Sequence, residues 1–296
     1  MATVGLLHPG EMGAAVGGCL VTAGHTVLWD PAGRSRATTG RALAAELTGV
    51  ELGALVSRSS VIFSICPPHA ALDVARQVAA AGFGGVYVEA NAISVATAAQ
   101  VASVVTAGGA GYVDGGIIGP PPDGAGHTRL YLSGAREAEV RALFTRSALD
   151  ARIADGPPYA ASAVKMAYAA WTKGSGALLL ACRALARAEG VERTLLAEWA
   201  MSQPGLAARS EGSAAAAAAK GGRRVAEMEE IAASMDSAGL PPGFHQAAAE
   251  IYVRAAHADK PAAGMAPGAS PRRQQRDGGD EPDVSSALDT VMSALT

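Results

Sequence analysis

Short apolar runs alternate with stretches of helical composition through the first half of the chain. Residues 2–7 (A-T-V-G-L-L) read as a buried strand, and residues 11–23 as a helix stopped at Ala23-Gly24. H-T-V-L-W-D (25–30) is a second strand. Strand, glycine turn, helix and strand within about 30 residues make a βαβ unit. The alternation continues with a strand over 59–66, ended by Pro67-Pro68, and a helix over 69–81. A strand over 85–91, a helix over 94–107 and a strand over 111–119 come next. After the loop G-P-P-P-D-G-A-G, a strand over 128–134 and a helix over 136–147 complete this part. The pattern predicts an α/β domain, a doubly wound parallel sheet covered on both faces.

The pattern changes after Pro157-Pro158. Residues 159–188 are apolar and almost free of breakers, apart from Gly174 and Gly176, which predicts one long helix. Helices are expected over 192–202, 205–219, 222–238 and 243–257. The reading is an α/β domain over 1–155 and an all-helical domain over 156–258. Residues 259–284, rich in Pro, Gly and charge, are expected to be a disordered linker. Residues 285–296 have the pattern of a short amphipathic helix.

Composition narrows the function classes. The chain has 296 residues, 49% of them hydrophobic, enough for a sizeable core, and only 4% aromatic, so that core packs small side chains closely. A net charge of −3 gives no electrostatic case for nucleic acid or an anionic membrane surface. No apolar window is long enough to span a bilayer, and no basic segment precedes an apolar one as in a signal peptide. Cys19, Cys66 and Cys182 are scattered, odd in number and without CxxC spacing. They read as reduced thiols of a cytoplasmic protein, with no disulfide framework and no metal site.

The candidate chemistry starts at V-G-L-L-H-P-G-E-M-G (4–13). A dinucleotide cradle aims backbone N–H groups at a pyrophosphate from a helix N-terminus, and glycines let the chain turn and approach closely. Gly10 and Gly13 fill the second and third glycine positions of G-x-G-x-x-G; His8 stands in the first, stiffened by Pro9. That substitution is expected to be tolerated with φ negative, the imidazole then facing a phosphate. Asp30, 17 residues beyond Gly13, ends the second strand where a carboxylate reaches a ribose hydroxyl. The plain alternative is a strand-to-helix turn in a domain that binds something else.

The stretch from Val4 to Asp30 resembles the N-terminus of the β-hydroxyacid dehydrogenase superfamily, which includes 3-hydroxyisobutyrate and 6-phosphogluconate dehydrogenases and the imine reductases. Gly5, Gly10, Met12, Gly13 and Ala23-Gly24-His25 match G-x-I-G-L-G-x-M-G and A-G-H-x-V. Within it, H-P-G-E-M-G, E-M-E-E-I-A (227–232) and G-L-P-P-G-F-H (239–245) are similar to a branch of uncharacterised oxidoreductases. The resemblance implies a Rossmann domain followed by an all-α domain through which two subunits form a homodimer. It implies cofactor contacts from His8, Pro9, Gly10, Glu11, Met12, Gly13, Asp30, Arg34, Ser35, Cys66, Pro67 and Asn91. It also implies substrate contacts from Ile117, Ile118 and Gly119, in the segment that sits where the family carries D-A-P-V-S-G-G, and from Tyr168, Trp171 and Glu227. Aligning the family's G-x-G-x-x-x-K-x-x-x-N on Lys165 puts Tyr159 and Ala161 at its glycines and Ala169 at its asparagine. The serine of the substrate segment falls on Ile118, and a later lysine near Glu227. These departures argue against a plain 3-hydroxy acid as substrate.

Lys165 lies on an otherwise apolar helix face. By itself it reads as a snorkelling surface lysine; the resemblance makes it the general acid and base of carbonyl–alcohol chemistry. Tyr168 and Trp171 line the substrate or pack the core. Glu227, Glu229 and Glu230 offer one pocket carboxylate or a solvated face, and His245 reads as a core or capping residue. Asp30 speaks for NAD, whereas Arg34, Ser35 and Arg36 suit the 2′-phosphate of NADP and tip the reading that way. The leading expectation is an NAD(P)-dependent oxidoreductase of a small alcohol or carbonyl compound. An imine reductase and a non-catalytic nucleotide-binding protein are the alternatives.

Overall fold

The structure is a computed structural model, which describes residues 1–124, 126–257 and 284–295. The linker expected over 259–284 falls almost wholly outside the described residues. Eight strands form one sheet: β1 (Thr3–Leu7), β2 (Thr26–Trp29), β3 (Thr48–Gly49), β4 (Val61–Ser64), β5 (Val86–Glu89), β6 (Gly111–Ile118), β7 (Thr128–Ser133) and β8 (Leu149–Ile153). Their order across the sheet is β3-β2-β1-β4-β5-β6-β7-β8. Helices α1 (Glu11–Thr22), α2 (Arg36–Ala44), α3 (Leu52–Arg58), α4 (Ala71–Ala80), α5 (Val95–Ala107) and α6 (Glu137–Ala142) lie between the strands in sequence. The helical half holds α7 (Ala160–Ala188), α8 (Glu192–Ser202), α9 (Leu206–Ser237), α10 (Gly243–His257) and α11 (Val284–Leu295).

The doubly wound α/β class read from the sequence is present, with one correction. β7 runs antiparallel to β6, while the other pairs are parallel. A parallel partner needs a crossover of a dozen or more residues, usually a helix. None stands between β6 and β7, so the chain doubles back; α6 then carries it across to β8, parallel to β7.

Central strands V-I-F-S and V-Y-V-E are buried at every position, because helices cover both sides. Alternate residues feed two cores. One holds Leu6, Leu20, Trp29, Phe63, Val88 and Leu130. The other holds Leu7, Leu28, Ile62, Tyr87, Ile93 and Val101.

The chain divides into two compact units, Met1–Ala169 with Ala233–Leu240, and Ala170–Ala232 with Pro241–Thr296. The division falls inside α7 rather than at residue 155, ahead of it. Most of α9 belongs to the helical unit; in it the two helices expected over 205–219 and 222–238 run on as one, bent where Lys220 leaves helical geometry (φ −136°, ψ 20°). Arg183, 3% exposed, ties this unit together. It donates to Glu192 at 2.7 and 3.1 Å and to Ser210 at 2.9 Å. Among the described residues, no helix is long and apolar enough to cross a membrane.

Candidate active site

β1 ends at Leu7, and the chain turns through His8 into α1. His8 has φ 66°, in the left-handed region, so the expected negative φ is wrong. The turn explains why. Gly10 N–H donates to the His8 carbonyl at 2.7 Å, and a Cβ on Gly13 would stand 2.6 Å from that same oxygen. The helix therefore sits directly on the turn, which requires the conformation that glycine supplies in the common pattern. Histidine is among the residues that enter this region more readily than most.

Gly10 is the N-cap of α1, gives no side-chain cap, and has open space where a Cβ would stand. A helix start of this kind is the type of position at which N–H groups can receive an anion. Glu11 is exposed in the first turn, and Met12 packs against the sheet core. Burial, then Arg34, push the His8 imidazole down to about 4 while Asp30 opposes them, so the ring is neutral at pH 7. Asp30 accepts from Ala32 N–H at 2.9 Å. Ser35 caps α2 by accepting from Thr38 N–H at 3.2 Å.

Next along the sheet, Asn91 joins the ends of β4 and β5. Its Oδ1 accepts from Cys66 N–H at 2.5 Å, and its Nδ2 donates to Ser64 Oγ at 3.0 Å. Pro67 opens the short 3₁₀ turn that leads into α4. Residues missed in the sequence lie beneath this loop. Strand register aligns Ser64, Glu89, Asp114 and Ser133 across four strands, all 5% exposed or less. Glu89 Oε1 accepts from Asn91 N–H at 2.9 Å, but Oε2 is buried without a partner among the described residues. Burial, with Asp114 adding, pushes Glu89 up to about 8, so it holds its proton at neutral pH.

Asp114 grips the start of α7. Its Oδ2 accepts from Ser162 N–H at 2.8 Å and from the Ser133 hydroxyl at 3.0 Å, and its Oδ1 from the Ser162 hydroxyl at 2.5 Å. Ser133 Oγ in turn accepts from Ala161 N–H at 3.1 Å. Burial pushes Asp114 up, against these donors. Gly116 lets the helix close down, since a Cβ there would meet the Ala161 carbonyl at 2.5 Å. Lys165, one turn on and partly buried, donates from Nζ to the Ile117 carbonyl at 2.5 Å. The side chains of Ile117 and Ile118 are buried, and Gly119 has φ 122°. Tyr159, at a family glycine, keeps a left-handed φ of 66° and stacks edge-on to Tyr112.

Tyr168 and Trp171 are 46% and 68% exposed, so neither packs the core of this chain. In the helical unit, Glu227 is 2% exposed and pairs with Lys173 and, at 3.0 Å, with Arg223. His245 is 6% exposed, near Gly174, in keeping with a core role. All three cysteines are free.

Residues 186–255 match the model of a domain of unknown function, DUF1932. No curated protein matches the chain in sequence. A conserved protein of unknown function, MTH1747, described as structurally similar to 3-hydroxyacid dehydrogenases, is 25% identical. The match covers 86% of this chain and 97% of that one, with a TM-score of 0.64. Mycobacterium tuberculosis 3-hydroxyisobutyrate dehydrogenase is 20% identical over 88% of this chain and 94% of its own, with a TM-score of 0.63. An Aspergillus terreus reductive aminase, solved with NADPH and ethyl-5-oxohexanoate, is 21% identical over 88% and 95%, with a TM-score of 0.54. The chain therefore has the fold of the 3-hydroxyacid dehydrogenase-like proteins, with a DUF1932 segment in its helical half.

Proposed function

We propose that this protein is an NADP(H)-dependent oxidoreductase of a small alcohol or carbonyl compound, with Lys165 as the group that gives and takes the proton. The observation that carries the reading is the seating of Lys165. Asp114, Ser133 and Gly116 fix the first turn of α7 on β6, and this holds the ammonium at the Ile117 carbonyl. The same unit carries a glycine cradle with open space at an uncapped helix start, which fits a pyrophosphate. When bound, a nicotinamide supplies or accepts hydride. Lys165 then protonates a carbonyl oxygen or deprotonates a hydroxyl. A proton-transferring lysine favours this chemistry over imine reduction, although the neighbours in fold include both kinds of enzyme. Arg34 and Arg36 favour NADP over NAD.

The helical unit supports a homodimer. Trp171, Leu178 and Leu185 recur every seven residues along α7 and are 68%, 49% and 63% exposed, an apolar stripe suited to a second copy. Leu178→Glu with Leu185→Glu should halve the mass measured by light scattering.

The function is tested with NADPH, NADH and a panel of small hydroxy acids, aldehydes, ketones and cyclic imines. Lys165→Met should lower turnover of the best carbonyl substrate by about 10²–10⁴-fold. The affinity for NADPH should stay unchanged. A fully active variant ends the assignment of Lys165, and turnover of imines alone moves the protein to the other chemistry.

A further inference from the structure

The loop that the resemblance assigns to the cofactor, at Cys66 and Asn91, hangs from one acid. Cys66 N–H donates to Asn91 Oδ1, and Asn91 Nδ2 donates to Ser64 Oγ and Cys66 Sγ. Asn91 N–H donates in turn to Glu89 Oε1, at the last residue of β5. Alternation puts Glu89 on the sheet face of Tyr87, the side covered by α4 and α5. Facing it are Ser64 and Cys66 from β4 and the turn after it, Tyr87 from its own strand, and Tyr112 and Asp114 from β6. The hydroxyls of Tyr87 and Tyr112, like Glu89 Oε2, are buried without partners among the described residues. α5 carries no charged residue, and the Asp73–Arg76 pair of α4 is exposed to water. At the start of α7, Ser162 donates to Asp114, and Tyr159 just ahead of it meets Tyr112. No cation faces Glu89 among the described residues.

We propose that Glu89 is a positioning residue for this loop: its neutral carboxyl holds Asn91 and Cys66 in the binding arrangement, and its ionisation lets the loop open, so that nicotinamide cofactor binding is lost in alkali. This rests on the nicotinamide reading above. An ionised Glu89 would keep its bond from Asn91 N–H, but Oε2 would carry charge beside Asp114 and two phenols with no donor of its own. A buried charge without partners is too costly to keep dry. Glu89 and Ser64 end β5 and β4, so water reaches Oε2 at least cost when the strand ends part locally. That motion draws Asn91 away from Cys66. Burial, with Asp114 adding, places the change at about 8. Neighbouring groups titrate elsewhere. Burial pushes the Cys66 thiol up to about 12. His8, whose Nδ1 is buried without a partner among the described residues, is pushed down to about 4.

The test is calorimetric titration of the full chain with NADPH and NADH from pH 7 to 9.5. If only the neutral acid is competent, the parent should bind about tenfold more weakly at pH 9 than at pH 7. Glu89→Gln keeps the shape and cannot ionise. It should bind within about twofold of the parent at pH 7 and stay flat to pH 9.5. A flat parent curve overturns the proposal. So does an alkaline loss that Glu89→Gln retains, which would assign it to Lys165 or another group. The loop is read without cofactor by hydrogen exchange of the peptide containing Cys66, corrected for the intrinsic rate. Its protection should fall above pH 8 in the parent and persist in Glu89→Gln. Protection in the parent that does not fall above pH 8 overturns the proposal without any need of the variant. If the parent binds neither cofactor at any pH, the oxidoreductase reading fails, and exchange at Cys66 still decides the role of Glu89.

Discussion

Two buried glutamates solve one problem in opposite ways. Glu227, in the helical unit, is 2% exposed and flanked by Lys173 and Arg223. Glu89, in the sheet, is fully buried, has no cation against it among the described residues, and keeps its proton to about 8. A helix offers neighbours three and four residues away, and Arg223 meets Glu227 at that spacing. A central strand buried on both faces offers apolar neighbours and other strand ends, here Ser64 and Asp114. Burial without a countercharge favours the neutral acid. The loop at Asn91 is therefore built on a carboxyl that ionisation would disturb.

The sharpest way to break this contrast is Lys173→Met. Removing one partner of a buried ion pair costs about 3–5 kcal/mol. The second cation, Arg223, and the partial exposure of Lys173 place the expected loss near the low end, read by urea unfolding at pH 7. A neutral result would mean that Glu227 is protonated too. Glu89→Gln tests the other side. A raised acid gives stability that is whole below its ordinary value near 4.5 and is lost as pH climbs toward 8. The slope is up to about 1.4 kcal/mol per pH unit. The amide should therefore stabilise by about 2–3 kcal/mol at pH 6.5, two units above the ordinary value, and leave stability at pH 4 unchanged. Parallel curves for parent and variant from pH 5 to 8 would show an ionised Glu89. The smallest effect is His8→Gly, which relieves a left-handed backbone and should add about 1 kcal/mol in the absence of ligand. A loss of stability would show that the imidazole packs better than its orphaned nitrogen suggests.

Strands β1, β4, β5 and β6 were legible because each is an apolar run closed by Gly, Pro or a polar residue. Helix α2, with R-A-T-T-G-R-A-L-A, shows little amphipathic contrast and was missed. β3 is two residues long, and β8 reads L-D-A-R-I, with charges that suggest a loop. The reversal of β7 has no local signature beyond the missing helix before it. In the site, Gly10, Gly13 and Lys165 were found through motif spacing. His8 stands out in the sequence but its φ does not, because the need for a left-handed turn arises from Gly13 pressing on the His8 carbonyl. Glu89 and Asp114 were passed over, although each is a polar residue at or near the end of an apolar strand. Only register brings Ser64, Glu89 and Asp114, spaced 25 residues apart, into one row.

The two ends of the sheet bear on the chain's resistance to aggregation. An open edge offers unpaired N–H and C=O groups to any passing strand, a common route to aggregation. Here β3 is too short to template a partner. At the other edge, β8 carries Asp150 and Arg152, joined at 2.7 Å and exposed to water. Brevity guards one margin and fixed charge the other, so strand-by-strand fibre growth is discouraged.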